Sequence, residues 1–325
     1  MNFRATVKRL FAAGVLLALA CPAAAQQVYP NKPIRFIVPY PPGGGVDPIA
    51  RMAAQQLSQN WNQPVIVDNR PGGNTIIGTE AVARAPADGY TLLAATSTFV
   101  TRPNLLATPY DPIKDFAPVA TIATSRHVLV LHPSVPANTL QELIALVKAK
   151  PGQLNYVTLG SGSVQHLLGA SLEILAGIKL QHIAYKGTSQ SLVDMLNGQV
   201  QLSFQVPMSV SAHLKNGKLK AIAMIGESRN ATLPQVPTFT EAGLPGLDIK
   251  LWFGVIARAG TPKAVIDRLS AEFAKFLTEP DFKEMLVGQG LEPFVSTPDQ
   301  FAALIKSDFA HYAKVIRIAN IKADE

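Results

Sequence analysis

Short apolar runs alternate with helical periodicities along nearly the whole chain. Ile34–Pro39, Val65–Val67 and Thr91–Ala95 are almost continuously apolar and predict strands of a buried parallel sheet. Between them, helices are predicted from about Pro48 to Ser58 and from about Ile76 to Ala85. Asp47 is the expected N-cap of the first, with Pro48 in its opening position. Asp88-Gly89 supplies the turn into the third strand, and this βαβαβ order implies right-handed crossovers. After Val128–Leu131 the pattern restarts. A capping box at Thr139-Leu140-Gln141-Glu142 opens a helix that closes at Lys148, Lys150 and Pro151. Strand Asn155–Leu159, helix Val164–Leu175, strand His182–Tyr185 and helix Gln190–Asn197, stopped by Gly198, come next. Strands Gln201–Phe204 and Leu219–Ile225 complete a second set, expected to form its own parallel sheet. One further strand, Trp252–Ile256, precedes two closing helices opened by Thr261-Pro262 and by Thr297-Pro298. The reading is α/β with two lobes. Crossovers are expected near Thr121–Leu129 and Ser228–Gly254, where Pro and Gly are dense and helical periodicity disappears.

The first 25 residues stand apart. Arg4, Lys8 and Arg9 precede an apolar run at Leu10–Ala20, and Pro22-Ala23-Ala24-Ala25 offers small residues in an A-x-A arrangement. This is the secretory signal pattern, and the run is shorter than the ~20 residues a spanning helix needs. Cys21 is the only cysteine; Leu19 lies one residue too near it for the usual lipobox, so cleavage after Ala25 is expected and lipoprotein processing is the alternative. The expected compartment is the periplasm, and the expected mature protein has no disulfide to lean on. Hydrophobic residues are 48% and charged ones 16% of the 325, which argues for a sizeable core and against disorder. Removing the three leader cations from the 29 Lys and Arg leaves 26 against 22 acidic residues. That small surplus is thinly spread, so nucleic acid is not an expected partner.

Two glycine loops carry the candidate chemistry. The first, Pro39-Tyr40-Pro41-Pro42-Gly43-Gly44-Gly45-Val46-Asp47, joins a strand to a helix. Its glycines admit close approach of a ligand, and the helix start behind them presents unpaired N–H groups and partial positive charge. It lacks the Gly-Lys-Ser/Thr of a Walker A loop, and Pro48 stands where a dinucleotide fingerprint needs glycine. A carboxylate is therefore the favoured guest, with a purely structural turn as the alternative. The second loop, Gly160-Ser161-Gly162-Ser163, has the same placement in the second half, with Ser163 as N-cap and Gln165 where a third glycine would stand. Two lobes, each aiming a helix N-terminus at an anion, would clamp a dicarboxylate.

Catalytic patterns are missing: there is no H-E-x-x-H, no cysteine ligand, no G-x-S-x-G, and the six histidines are scattered. No catalytic residue, metal or cofactor is expected. His166 reads as a loop-bracing histidine before it reads as a base, and Asp47 as a cap before an acid–base group. Lys186 is either solvated surface charge or a carboxylate partner. Trp252-Phe253 points to core packing before ligand contact.

These segments resemble a known family. Tyr29-Pro30-Asn31-Lys32-Pro33-Ile34-Arg35, Val38–Gly45 with Asp47, Asn69-Arg70-Pro71-Gly72, Ala87–Leu93, Asp115–Val119, Gly162-Ser163 with His166, Tyr185-Lys186-Gly187, Pro234 to Pro237, Glu241-Ala242-Gly243 and Trp252-Phe253-Gly254 are similar, in order, to the Bug family. Its members are periplasmic solute-binding proteins of tripartite tricarboxylate transporters. The resemblance implies a type II periplasmic-binding-protein fold, two α/β lobes with parallel-rich sheets joined by crossover strands. Residues 26–124 with 253–325 would form lobe 1, and 125–252 lobe 2. A carboxylate would sit between them without being altered, held at one end by Tyr40, Pro42, Gly43, Gly44, Gly45, Val46 and Asp47, partly through water. Its other end would meet Gly160, Ser161, Gly162, Ser163, His166, Tyr185, Lys186 and Gly187, with help from the strand end at Thr96, Ser97 and Thr98. The chain departs from the family's pattern in three places. Gly72-Gly73-Asn74-Thr75 replaces a glycine-richer run, Ala170 replaces a glutamate, and Gln205 replaces the acidic residue usual after the strand phenylalanine. Loss of a carboxylate at Gln205 points to a non-amino dicarboxylate or an aromatic acid rather than an acidic amino acid. The expected partners are membrane subunits of such a transporter, with a sensor kinase as the alternative docking partner and an α/β enzyme as a third, unsupported class. A monomer is expected.

Overall fold

In the computed structural model the described residues are 29–43, 45–247, 249, 251–288, 290–318 and 320–321. The expected signal segment and Gly44 lie outside them. From Lys32 onward the chain builds two mixed sheets flanked by helices.

In the first sheet, β1 (Ile34–Val38), β2 (Val65–Asn69) and β3 (Thr91–Thr96) run parallel. They are joined by α1 (Val46–Trp61) and α2 (Ile76–Ala83), the helices the periodicity predicts. β4 (Phe116–Ser125), β10 (Leu251–Arg258) and the short β11 (Glu292–Pro293) complete the order β11-β4-β10-β3-β1-β2. β10 is antiparallel to both of its neighbours. The second sheet has the order β7-β6-β8-β5-β9, from β5 (Val128–Leu131), β6 (Asn155–Thr158), β7 (Gln181–Ala184), β8 (Leu202–Gln205) and β9 (Lys220–Met224). β6 is parallel to its neighbours β7 and β8, whereas β5 is antiparallel to β8 and β9. The second sheet is thus mixed rather than parallel as expected, because a run of apolar residues reports burial and not direction.

The chain passes from first sheet to second through Arg126-His127 and returns between Met224 and Leu251. β4 covers most of the stretch expected as the first crossover. Its Thr- and Ala-rich sequence holds Phe116, Val119 and Ile122 in the core. α3 (Thr98–Thr101) follows β3 directly. α4 (Leu140–Ala149), α5 (Val164–Ala176) and α6 (Thr188–Leu196) appear as predicted, with Thr139 and Ser163 capping the first two through their hydroxyls. α7 (Pro207–Lys215) was not expected. The closing region holds three helices, not two: α8 (Lys263–Thr278), α9 (Pro280–Gly288) and α10 (Pro298–Ile318). Trp252 is almost fully buried, its ring edge-on to Phe301 and its Nε1 donating to Asp308 at 2.8 Å, which makes it a core residue as read from the sequence. Among the described residues no helix is long and apolar enough to cross a membrane.

Candidate functional site

The C-terminal ends of β1, β3, β6, β7 and β8 face one another across the space between the sheets, where ligands lodge in open α/β folds. Two cavities lie there. The inner one has about 580 Å³ of atom-free space, part of it open to solvent. On the side of the first sheet it is lined by Tyr40, Gly45, Val46, Thr96, Thr98 and Phe253, and on the side of the second by Leu159, Val164, Gln165, Thr188, Ser189 and Gln205. None of its lining residues is charged. Instead, α1, α5 and α6 each present first-turn residues to it, and Val206, just before Pro207 of α7, joins them. Val164 and Gln165 open α5, and Thr188 and Ser189 open α6, so their N–H groups have no acceptor inside their own helices. Several helix N-termini converging on one uncharged, half-apolar space favour an anion with an apolar body.

The outer cavity lies beyond Tyr40, Pro41 and Leu159, which line both spaces. Gly160, Ser161, Tyr185 and Lys186 line it, together with Gly72–Thr75 and Arg102. Lys186 is exposed there, while Tyr185 donates its hydroxyl to Asp194 at 2.7 Å. Burial and that carboxylate push the Tyr185 phenol up to about 12. Of the expected site residues, Tyr40, Gly45, Val46, Thr96 and Gln205 line the inner space, while Gly160, Ser161, Tyr185 and Lys186 line the outer one.

Several of them serve the scaffold. Asp47 is not the N-cap: α1 starts at Val46, two residues before the expected Pro48, and Gly45, already in helical dihedrals, is the N-cap. The buried Asp47 carboxylate accepts from Gly43 N–H at 3.1 Å, Arg51 Nε at 3.0 Å and Asn69 Nδ2 at 2.8 Å. It thereby occupies one amide that the glycine loop was expected to offer a ligand. Pro42 is exposed, and the exposed Gly43 lines a further space with Gly45, Thr188 and Ser189. The Ser97 hydroxyl accepts from Trp252 N–H at 3.0 Å, which ties β3 to β10. Ser163 caps α5 by accepting from His166 N–H at 3.2 Å, and His166 Nδ1 accepts from Gly162 N–H at 3.3 Å. The His166 ring stacks on His182 at 4.3 Å, so it braces the loop as its sequence context suggested. Gly187 packs on the Pro41 ring, where a β-carbon would lie 2.8 Å from Pro41 Cγ. Tyr40 and Thr96, by contrast, stand at the inner cavity joined by a 2.9 Å hydroxyl hydrogen bond, and burial raises the Tyr40 phenol above its ordinary value. Gln205 is buried at the same cavity, its Nε2 donating to Ser203 Oγ at 2.8 Å.

Sequence reasoning missed Leu159, Val164, Gln165, Thr188, Ser189, Val206 and Leu251, and it read Phe253, which lines the inner cavity, as a core residue first. The signal was present in Gly187-Thr188-Ser189 and Val206-Pro207, small or proline-marked starts of a helix directly after a strand. Among the described residues no group of three His, Cys, Asp or Glu could hold a metal ion.

Residues 49–321 match the model of the tripartite tricarboxylate transporter family receptor. The chain belongs to that family. It is 35% identical to Protein BugT of Bordetella pertussis over 95% of this chain and 96% of that protein. The receptor is similar to the solved periplasmic binding protein BugD, with 31% identity, a TM-score of 0.86, and coverage of 91% of this chain and 100% of that one. It is also similar to an adipate-bound protein of R. palustris, with 30% identity, a TM-score of 0.88, and coverage of 90% and 99%. The family and the two-sheet α/β fold read from the sequence stand, and BugD is a periplasmic binding protein.

Proposed function

We propose that this receptor captures a small carboxylate lacking an amino group in the inner cavity and delivers it to the membrane subunits of a tripartite tricarboxylate transporter. The observation that carries this is the lining of that cavity: helix starts from both halves of the molecule, an apolar strip of Leu159, Leu251 and Phe253, and no charged side chain. Carboxylate groups are stabilised by the N–H groups and dipoles of the helix starts. Methylenes or a ring lie on the apolar strip, and an ammonium group finds no carboxylate to pair with. The contacts are Tyr40, Gly45, Val46, Thr96 and Gln205, joined by Val164, Gln165, Thr188 and Ser189. Adipate in the R. palustris relative has this build, two acid ends on an apolar spacer. Residues 26–124 with 253–325 and residues 125–252 act as the two lobes, hinged at the crossovers and working as a monomer. Residues 1–25 are the cleaved leader that takes the chain to the periplasm.

A melting-temperature screen tests this reading with adipate, succinate, benzoate, citrate and aspartate. A ligand at 100 times its Kd adds about 2.7 kcal/mol to stability, which raises Tm by several degrees. A shift with a non-amino acid of the panel, and none with aspartate, is expected. A shift with aspartate alone, or with no member of the panel, overturns the proposal.

A further inference from the structure

The loop Gly160–Ser163 is held from the opposite half by its carbonyls rather than its amides. Asn74 Nδ2 donates to Ser161 O at 2.9 Å, Arg102 Nη1 donates to the same oxygen, and Thr101 Oγ1 donates to Gly162 O. Gly162 also seats on this segment, where its β-carbon would lie 3.3 Å from Leu105. Thr101 is the last residue of α3, whose first residue, Thr98, lines the inner cavity. Asn74 ends no helix, but it belongs to a run of four left-handed residues, Gly72, Gly73, Asn74 and Thr75, with φ of +130°, +57°, +49° and +79°. Of the non-glycine residues asparagine tolerates that conformation best, and here it stands in a run that the resemblance to the family implies is richer in glycine. The backbone therefore pays for a side chain that reaches across the cleft. The receiving loop leads directly into α5, whose first residues, Val164 and Gln165, line the inner cavity.

We infer that Asn74 and Thr101, with Arg102, form a latch that locks the two halves together and sets the position of the α5 N-terminus over the bound acid. They are positioning residues, since none of the three lines the inner cavity. The inference about ligand retention rests on the inner cavity being the ligand site; the locking of the two halves does not.

The test uses the full chain with Cys21→Ser, carrying spin labels at Ile66→Cys and Ile174→Cys, exposed positions in the first and second halves. Pulsed electron resonance then gives the distribution of distances between them, with and without adipate. Asn74→Gly removes the donor while relieving the left-handed backbone, so the fold survives. Thr101→Val removes the second donor at constant shape. Loss of one hydrogen bond changes an equilibrium ratio about 5-fold. The ratio of short to long distances is expected to fall about 5-fold in each variant and further in the double variant, with the unfolding midpoint of Asn74→Gly unchanged. The adipate off-rate is expected to rise by a similar factor. Distances that match the parent in the double variant overturn the latch. If distances lengthen while no acid of the panel shifts the parent's Tm, the latch holds and the ligand reading fails.

Discussion

The carboxylate of Asp47 accepts the backbone N–H of Gly43 at 3.1 Å, closing the glycine loop on the first turn of its own helix. Arg51 and Asn69 supply further donors, so this buried anion holds β1, β2 and α1 in register around the cavity mouth. Burial works against its charge, but the donors from Arg51, Asn69 and Gly43 outweigh it and hold the carboxyl below the usual carboxylate value. Hydrogen bonds to charged groups contribute about 1.5–3 kcal/mol, so Asp47→Ala should cost about 2–3 kcal/mol in urea unfolding at pH 7. Because the folded-state value is depressed, this contribution is complete above the ordinary carboxylate range and is lost as pH falls through the folded value, below about 4. An Asp47→Ala chain as stable as the parent at pH 7 would remove the clamp.

A second titration lies in a different pH window. His127 sits between β4 and β5 with its ring buried, and neither ring nitrogen has a partner among the described residues. Burial alone lowers its pKa from 6.5 to about 3. The folded state therefore holds the neutral ring, and the unfolded state takes up a proton below pH 6.5. Stability is complete above that value and falls progressively toward pH 3, by about 2 kcal/mol at pH 5. His127→Leu should flatten the loss between pH 7 and 5 measured by urea unfolding, leaving the Asp47 loss below pH 4 in place. An unchanged slope would show that another group titrates there.

Much of this architecture is legible in the sequence. Uniformly apolar runs marked β1 and β3, and hydroxyl caps marked α4 and α5, because burial and capping are local demands on composition. Strand direction was not legible, since Val128–Leu131 reads the same whether its neighbours run with it or against it. Nor was α7, whose Pro-Met-Ser-Val-Ser-Ala-His-Leu-Lys sequence leaves only Pro207 and Val210 buried. The glycine loops that line the cavities are conspicuous in the sequence, but their division between two cavities is not. It depends on Tyr40, Pro41 and Leu159, which approach only when both sheets are assembled. Asn74 was visible as a side chain inside a glycine run; its partner, Ser161, is 87 residues away.

Gln205 offers the sharpest test of what the cavity selects. Its side chain is buried at the inner cavity, and it immediately precedes Val206, the N-cap of α7. Gln205→Glu would introduce the only charged side chain among the lining residues while keeping the length and shape of the amide. The α7 N-terminus favours a carboxylate at this position, so the new group should ionise rather than stay protonated. It then repels an acid end of a dicarboxylate and offers an ammonium group the partner it lacks in the parent. Two unit charges about 4 Å apart at an effective dielectric constant near 20 interact by about 4 kcal/mol. Even a third of that weakens adipate binding about tenfold and strengthens aspartate relative to adipate by more. Calorimetric titration of both acids into parent and variant reads the exchange directly. Equal adipate affinity in the two chains would place Gln205 outside the site, and a loss for adipate without any gain for aspartate would show that the ammonium group does not reach it.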